Sequence, residues 1–94
     1  MIINIKVTKR DKKTEDYDQE KIMRVVIAAG LNMLEAEKLI EYVNKWLIEK
    51  NKNIVTSLQI RDRVVIEIQK LNKAAAAKFI SYEKYKDRNY KINY

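Results

Sequence analysis

The chain opens with an alternation of apolar and polar residues. Ile3, Ile5 and Val7 alternate with polar neighbours, which is the period-two pattern of a strand with one buried face. This pattern predicts a first strand over residues 2–9. After a polar break, residues 13–17 are predicted to run back as a second strand, so that the two strands form a hairpin.

The pattern then changes to a helical period. Apolar side chains recur at i, i+3, i+4 and i+7 between Ile22 and Ala29, which places them on one face of a helix. Asp18 stands at the N-cap position, where its carboxylate can accept hydrogen bonds from free backbone N–H groups. Gly30 stands where a C-cap is needed. These signals predict a first helix between Asp18 and Gly30.

Two further helices follow from an apolar stripe and a capping motif. Residues 33–50 carry the stripe of a second amphipathic helix. Thr56 and Gln59 have the spacing of a capping box, in which Thr56 caps the next helix and Gln59 reaches back. The third helix is predicted to run from there to about Asn72. The β-branched residues 64–66 would suit a strand on propensity alone, but the cap favours the helix.

A fourth helix is predicted after Lys73. The alanines at residues 74–77 have the highest helix propensity of any residue type, and Phe79 and Tyr82 supply apolar side chains to the bundle. This helix is expected to fray near Asn89, because a chain end without tertiary contacts is commonly disordered.

These elements predict a fold that is mainly α with a small β-hairpin (α+β): a four-helix bundle capped by an N-terminal two-stranded hairpin. A single domain would cover residues 1–94, with the hairpin cap over 1–17, helices over 18–88 and a frayed tail over 89–94. The 94 residues are 47% hydrophobic and 35% charged, which suffices for one compact core with a solvated surface.

The composition excludes several classes of function. The chain has no Cys or His, so it can form no disulfide, no cysteine or histidine zinc site and no Ser-His-Asp triad. It also lacks the P-loop motif of nucleotide hydrolases. No apolar run approaches the roughly 20 residues of a membrane-spanning helix. We therefore expect a cytoplasmic protein without a membrane partner, without catalytic or metal-ligating residues and without enzymatic activity of its own.

The charge distribution indicates an anionic partner. Lys and Arg number 20 against 13 Asp and Glu, a formal net charge of +7 that would attract nucleotides, nucleic acid or acidic protein surfaces alike. Lys9 and Arg10 lie on the hairpin, and Lys21 lies one turn into the first helix, near its positive end. Together they could hold a polyphosphate. A merely solvated basic surface is the alternative that composition leaves open.

Three motifs in order resemble the ATP-cone family. The opening V-T-K-R-D at residues 7–11, with E-x-[aromatic]-D at 15–18 and K-I at 21–22, is similar to the start of that domain. T-S-x-x-I at 56–60 and A-A-x-F-x-x-Y-x-x-x-K at 76–86 follow at the family's distances. Lys12 replaces the family's usual glycine and would be strained if the turn required a positive φ. The resemblance implies a hairpin on a four-helix bundle that senses adenine nucleotides.

The resemblance also implies a binding site for ATP or dATP as an effector, accompanied by Mg²⁺. Lys9, Arg10 and Lys21 would lie near the phosphates, and Val7 and Ile22 would form apolar walls against adenine or ribose. The full set of implied nucleotide-binding residues is Val7, Lys9, Arg10, Glu15, Asp16, Tyr17, Asp18, Lys21, Ile22, Ser57 and Lys86. Thr56 carries a hydroxyl beside that of Ser57, so either residue could supply the hydroxyl contact.

The family context implies a regulatory partner. ATP-cones occur at the N-terminus of ribonucleotide reductase large subunits, and beside a zinc ribbon in a repressor of the genes for those enzymes. The resemblance therefore implies a ribonucleotide reductase catalytic domain or subunit as partner, or self-association. The zinc-ribbon repressor is disfavoured because the chain has no cysteine ligands. A small basic nucleic-acid-binding protein is the alternative, although Glu15, Asp16 and Asp18 lie inside its most basic segment.

Overall fold

A computed structural model describes the backbone of residues 5–92 and the side chains of residues 5–83. The predicted class is confirmed, because four helices and a small three-stranded sheet form a mostly helical α+β domain. The elements in chain order are β1 (Lys6–Thr8), β2 (Thr14–Asp16), α1 (Gln19–Ala29), α2 (Met33–Lys50), β3 (Ile54–Thr56), α3 (Ser57–Leu71) and α4 (Lys73–Ile92). Residues 2–4 of the predicted first strand lie outside the described part.

The sheet corrects the prediction of a two-stranded hairpin. Its strand order is β2-β1-β3, with β1 antiparallel to β2 and parallel to β3. The central Val7 lies opposite Glu15 on one side and Val55 on the other. The third strand forms because the β-branched run Ile54–Thr56 favours extended backbone and because Val55 buries its side chain in the core.

The first helix is capped as predicted. Asp18 Oδ1 accepts hydrogen bonds from the backbone N–H groups of Glu20 and Lys21, at 3.1 and 3.3 Å. Gly30 ends α1 at φ +127°, and its N–H donates to the carbonyl of Ile27 at 3.0 Å. The boundaries of α1 are therefore set by residues that the sequence identifies directly.

Reciprocal capping boxes begin α2 and α3. Thr56 Oγ1 accepts from the Gln59 N–H at 3.1 Å, and Gln59 Oε1 accepts from the Thr56 N–H at 2.9 Å, which confirms the predicted box. Asn32 and Glu35 form an equivalent box at the start of α2 that the sequence analysis did not identify. Residues 64–66 are helical, as preferred, because the cap fixes the helical phase that buries Val64.

The core lies between the four helices and one face of the sheet. Its most deeply buried large side chains are Val26, Leu39, Val43, Leu47, Val55, Val64 and Ile68. Tyr82, which was expected to pack in the bundle, is 50% exposed, because the smaller Ala75 and Ala76 and the ring of Phe79 fill that side of α4. The helix continues to Ile92, beyond the predicted fraying point, with no glycine or proline to interrupt it.

One charged side chain is buried between α2 and α3. Glu67 is 3% exposed, and its carboxylate lies 2.6 Å from Arg63 Nη2 and 3.7 Å from Lys70 Nζ. The Arg63 guanidinium also lies 5.9 Å from the ring centre of Trp46, on α2. The two cations compensate the buried negative charge, as a buried carboxylate requires.

Candidate functional site

A cavity of about 220 Å³ lies between the hairpin, α1, α3 and α4. Its walls bring together residues that are far apart in the chain, from Val7 on β1 to Phe79 on α4. Nine of the eleven predicted nucleotide-binding residues line it: Val7, Arg10, Glu15, Asp16, Tyr17, Asp18, Lys21, Ile22 and Ser57. The motifs that carry the family resemblance therefore converge on one concave surface.

The other two predicted residues are Lys9, which does not line this cavity, and Lys86, whose side chain lies outside the described residues. The Lys9 side chain is 43% exposed, and its Nζ lies 3.5 Å from Glu15 Oε2 at the rim. Lys86 belongs to α4 by its backbone, and its side chain lies outside the described residues. Lys9 is thus held near the cavity by an ion pair rather than forming part of its wall.

The hairpin turn places these basic residues. Lys12 adopts φ +69°, which is the left-handed conformation. The turn therefore requires a positive φ at the position where the family usually has glycine. The turn is held by the Lys12 N–H, which donates to the Lys9 carbonyl at 3.0 Å, and by the Lys13 N–H, which donates to Asp11 Oδ1 at 3.0 Å. These bonds offset the strain of a left-handed lysine.

The Glu15 carboxylate lies between the side chains of Lys9 and Lys21. Its Oε2 lies 3.5 Å from Lys9 Nζ, and its Oε1 lies 3.6 Å from Lys21 Nζ. The neighbouring Asp16 pairs with Lys6 on the adjacent strand. All these side chains are more than a third exposed, so the ion pairs are screened by solvent and are easily exchanged.

Two helix N-termini face the cavity, and each has an oxygen at its cap. Asp18 already occupies N–H groups of α1. Thr56 Oγ1 is engaged as the cap of α3, whereas Ser57, the first residue of that helix, lines the cavity. Of the two residues with neighbouring hydroxyls, Ser57 is the one that lines the cavity.

Tyr17 fixes the end of the hairpin against α2. Its hydroxyl donates to Asn44 Oδ1 at 2.7 Å, and Asn44 Nδ2 donates to Gln19 Oε1 at 3.0 Å. Burial, with a smaller contribution from the negative charge of Asp18, raises the pKa of the Tyr17 hydroxyl to about 12. The tyrosine is therefore neutral at physiological pH and acts as a hydrogen-bond donor.

Part of the cavity wall is formed by residues that the sequence does not predict as binding residues. Val25, Leu58, Ile60, Val64 and Phe79 form apolar surface, and Arg61 and Glu83 add opposite charges. The apolar residues belong to the same stripes that predict core, so periodicity cannot separate the two roles. The sequence does carry a signal for these two charged residues. Arg61 lies four residues, about one helical turn, after Ser57, and Glu83 lies four residues after Phe79.

The family model for the ATP cone domain matches residues 5–88 of this chain. The chain belongs to the ATP-cone family. The match covers every element of the described fold up to α4, and it includes all the segments that line the cavity.

The chain is similar to proteins that are named transcriptional repressors. The chain is 28% identical over 90 residues to the transcriptional repressor NrdR of Acetivibrio thermocellus, covering 90% of this chain and 60% of that protein. It is 30% identical over 88 residues to the repressor of the same name from Persephonella marina, covering 88% and 58%. For the repressor of Bdellovibrio bacteriovorus the values are 24% over 86 residues, 86% and 44%.

These matches remove the argument against a repressor context. The chain spans about half of the length of these relatives, between 44% and 60%. The absence of cysteine from this ATP-cone says nothing about the part of a relative that the alignment leaves out, so it cannot disfavour the zinc-ribbon repressor. Among the described residues, none of the helices is long and apolar enough to cross a bilayer.

Proposed function

We propose that this ATP-cone binds ATP or dATP as an effector in the cavity between the hairpin, α1, α3 and α4. The observation that carries the proposal is the convergence of nine predicted nucleotide-binding residues on one cavity in a chain of this family. Arg10, Lys21 and Arg61 line that cavity and supply positive charge for phosphates. Lys9 at the rim and Lys86 on α4 complete the proposed cationic set.

The nucleoside is assigned to the wall formed by the hairpin and α1. Val7 is buried and Ile22 is half-buried there, and both line the cavity beside the carboxylates of Glu15 and Asp18. Apolar side chains suit the faces of adenine, and carboxylate oxygens can accept hydrogen bonds from its amino group or from ribose hydroxyls. The phosphates would then extend towards Ser57 and Arg61 on α3.

The bound nucleotide is proposed to regulate rather than to react. The cations bind ground and transition states alike, which tightens binding without accelerating hydrolysis. The described cavity wall holds no histidine and no Walker lysine to activate water or polarise the γ-phosphate. Mg²⁺ is proposed to accompany the triphosphate, and a cytoplasmic location, where the nucleotide is available, belongs to the same proposal.

The regulated process is proposed to be transcription. The relatives are named transcriptional repressors, which favours an effector domain within a DNA-binding regulator over a domain attached to ribonucleotide reductase. The difference between ATP and dATP, one 2′-hydroxyl, would change how the domain packs against a second copy or another domain. A ribonucleotide reductase subunit as partner is the second candidate, supported by the family resemblance.

Thermal unfolding with matched ligands tests the proposal. ATP and dATP at about 100 times their Kd should stabilise the chain by roughly 2.7 kcal/mol, which raises the Tm by several degrees for a domain of this size. Inorganic triphosphate and a duplex oligonucleotide are run in parallel. Equal stabilisation by inorganic triphosphate would reduce the site to a general anion site, and stabilisation by DNA alone would favour the nucleic-acid-binding alternative.

A further inference from the structure

Glu83 is a carboxylate in the wall of the cavity that the family motifs do not explain. It lies on α4 one helical turn beyond Phe79, which lines the same cavity and is 4% exposed. The Glu83 side chain is itself partly buried. Within the described part of the chain it makes no hydrogen bond and no ion pair.

The other three carboxylates of the cavity wall each have a partner. Glu15 is paired with two lysines, Asp16 with Lys6, and Asp18 with the N-terminal N–H groups of α1. Their charges are therefore compensated by groups of the protein. Glu83 differs from them, because its charge has no compensation among the described residues.

The position of Glu83 relates it to the phosphate end of the proposed ligand. This step rests on the proposed function, in which the phosphates extend towards Ser57 and Arg61 on α3. Arg61 lies on α3, which packs against α4.

An unpaired carboxylate beside a triphosphate repels it unless a cation lies between them. Mg²⁺ is commonly bound in this way, by one or two carboxylates together with substrate phosphates, while several waters complete its octahedron. Such a site does not need a cluster of protein ligands. Consistent with this, no group of three acidic, His or Cys side chains among the described residues could hold a metal by itself.

We infer that Glu83 is the protein ligand for a divalent metal ion that enters the cavity together with the triphosphate. Glu83 would hold the metal ion that accompanies the triphosphate, so the protein would recognise the metal complex of the nucleotide rather than the free nucleotide. Glu83 would then act in two opposite ways, lowering the affinity for metal-free ATP and raising the affinity for MgATP.

Calorimetric titration of the chain with ATP, in Mg²⁺ and in EDTA, tests this inference on Glu83→Gln. In the wild type, Mg²⁺ should strengthen ATP binding about ten-fold or more, the scale of a charge-assisted contact. The variant should lose most of this gain and should bind metal-free ATP more tightly than the wild type does. Glu37→Gln, on the exposed face of α2, is the matched control and should behave as the wild type.

Manganese provides a second readout. Mn²⁺ added with ATP should give a protein-bound electron paramagnetic resonance spectrum in the wild type, and Glu83→Gln should alter that spectrum. If the variant instead weakens ATP equally with and without metal, Glu83 contacts the nucleoside and the inference is wrong. Unchanged affinities in both conditions would also overturn it. A wild type that binds ATP in neither condition would overturn the proposed function itself.

Discussion

Glu15 Oε1 lies 3.6 Å from Lys21 Nζ, across the junction between β2 and α1. The other oxygen of the same carboxylate lies 3.5 Å from Lys9 Nζ. One acidic side chain thus stands between two of the cations that are proposed to bind phosphate. The three side chains are between 41% and 54% exposed, so a ligand can replace this ion pair at small cost.

Glu15→Gln should therefore raise the affinity for inorganic triphosphate by about two- to five-fold, because removal of the carboxylate frees the ammonium groups of Lys9 and Lys21 from an exposed ion pair. Isothermal titration calorimetry measures the change. Glu41→Gln, on the exposed surface of α2, serves as the control. An unchanged or reduced affinity would show that Glu15 does not compete with phosphate.

Single lysine substitutions should distinguish a residue that lines the cavity from a residue at its rim by the loss of ATP affinity. Lys21→Ala should weaken ATP binding by about ten-fold or more, because it removes a charge-assisted contact within the cavity. Lys9→Ala should cost less, about two- to five-fold, since Lys9 does not line the cavity and is held in an exposed ion pair. Lys38→Ala, on α2, should have no effect. Equal small losses at all three positions would indicate diffuse electrostatics and favour nucleic acid as the ligand.

The purified chain should release no phosphate from ATP above background in the presence of Mg²⁺. The reason is chemical. Glu15 and Asp18 are engaged in an ion pair and a helix cap, Glu83 is inferred to hold the metal ion, and the sequence has no histidine to act as general base. A coupled phosphate assay, with recovery of intact nucleotide by chromatography, measures this. Steady release that is abolished by Glu15→Gln would make the protein an enzyme.

Tyr17 should make stability depend on pH in the alkaline range. Burial raises its pKa to about 12, above the ordinary value of about 10, so the folded state holds the phenolic proton more tightly than the unfolded state. The contribution of Tyr17 to the free energy of unfolding is complete below pH 10 and is lost as the pH rises towards 12. Tyr17→Phe cannot ionise and lacks this loss, while the lysine titrations are common to both proteins.

Urea unfolding of wild type and Tyr17→Phe across pH 7 to 11.5 measures the difference. At neutral pH the variant should be about 1 kcal/mol less stable, because the hydrogen bond to Asn44 is absent. This difference should shrink above pH 10. A difference that stays constant with pH would contradict the assigned environment of the phenol.

Gly30→Ala should destabilise the fold by about 1–3 kcal/mol, because φ +127° is strained for any residue with a Cβ. An added Cβ would lie 3.6 Å from the Cβ of Ala75, an ordinary contact, so the cost comes from the backbone and not from crowding. Asn51→Gly, at a milder φ of +53°, should be tolerated. Urea unfolding decides, and a fully stable Gly30→Ala would refute the argument.

Local signals predicted the helices well. Asp18, Gly30 and Thr56 each act on backbone groups within a few residues, so their spacing alone identifies the ends of α1 and the start of α3. The motif residues on the hairpin and α1 also converge without long-range information, because they lie within one short segment. The family resemblance added the distant Ser57, which lines the same cavity.

Non-local pairing could not be predicted in this way. The three residues of β3 bind to β1 more than forty positions earlier in the chain, and nothing in Ile54–Thr56 beyond its β-branched side chains indicates that partner. The same limit applies to Arg61 and Glu83. Each lies one helical turn beyond another residue of the cavity wall, as its spacing indicates. Whether that face of the helix borders a cavity depends on how α3 and α4 pack.

The direct succession of β3 and α3 restricts how the cavity can change its width. Thr56 is both the partner of Thr8 in the sheet and the N-cap of α3, so no linker residue separates the ladder from Ser57. The hairpin and the first turn of α3 therefore move as one body unless the hydrogen bonds between β1 and β3 break. A ligand cannot close the hairpin onto the first turn of α3 while those bonds hold, so a narrowing of the cavity has to involve α1 or α4.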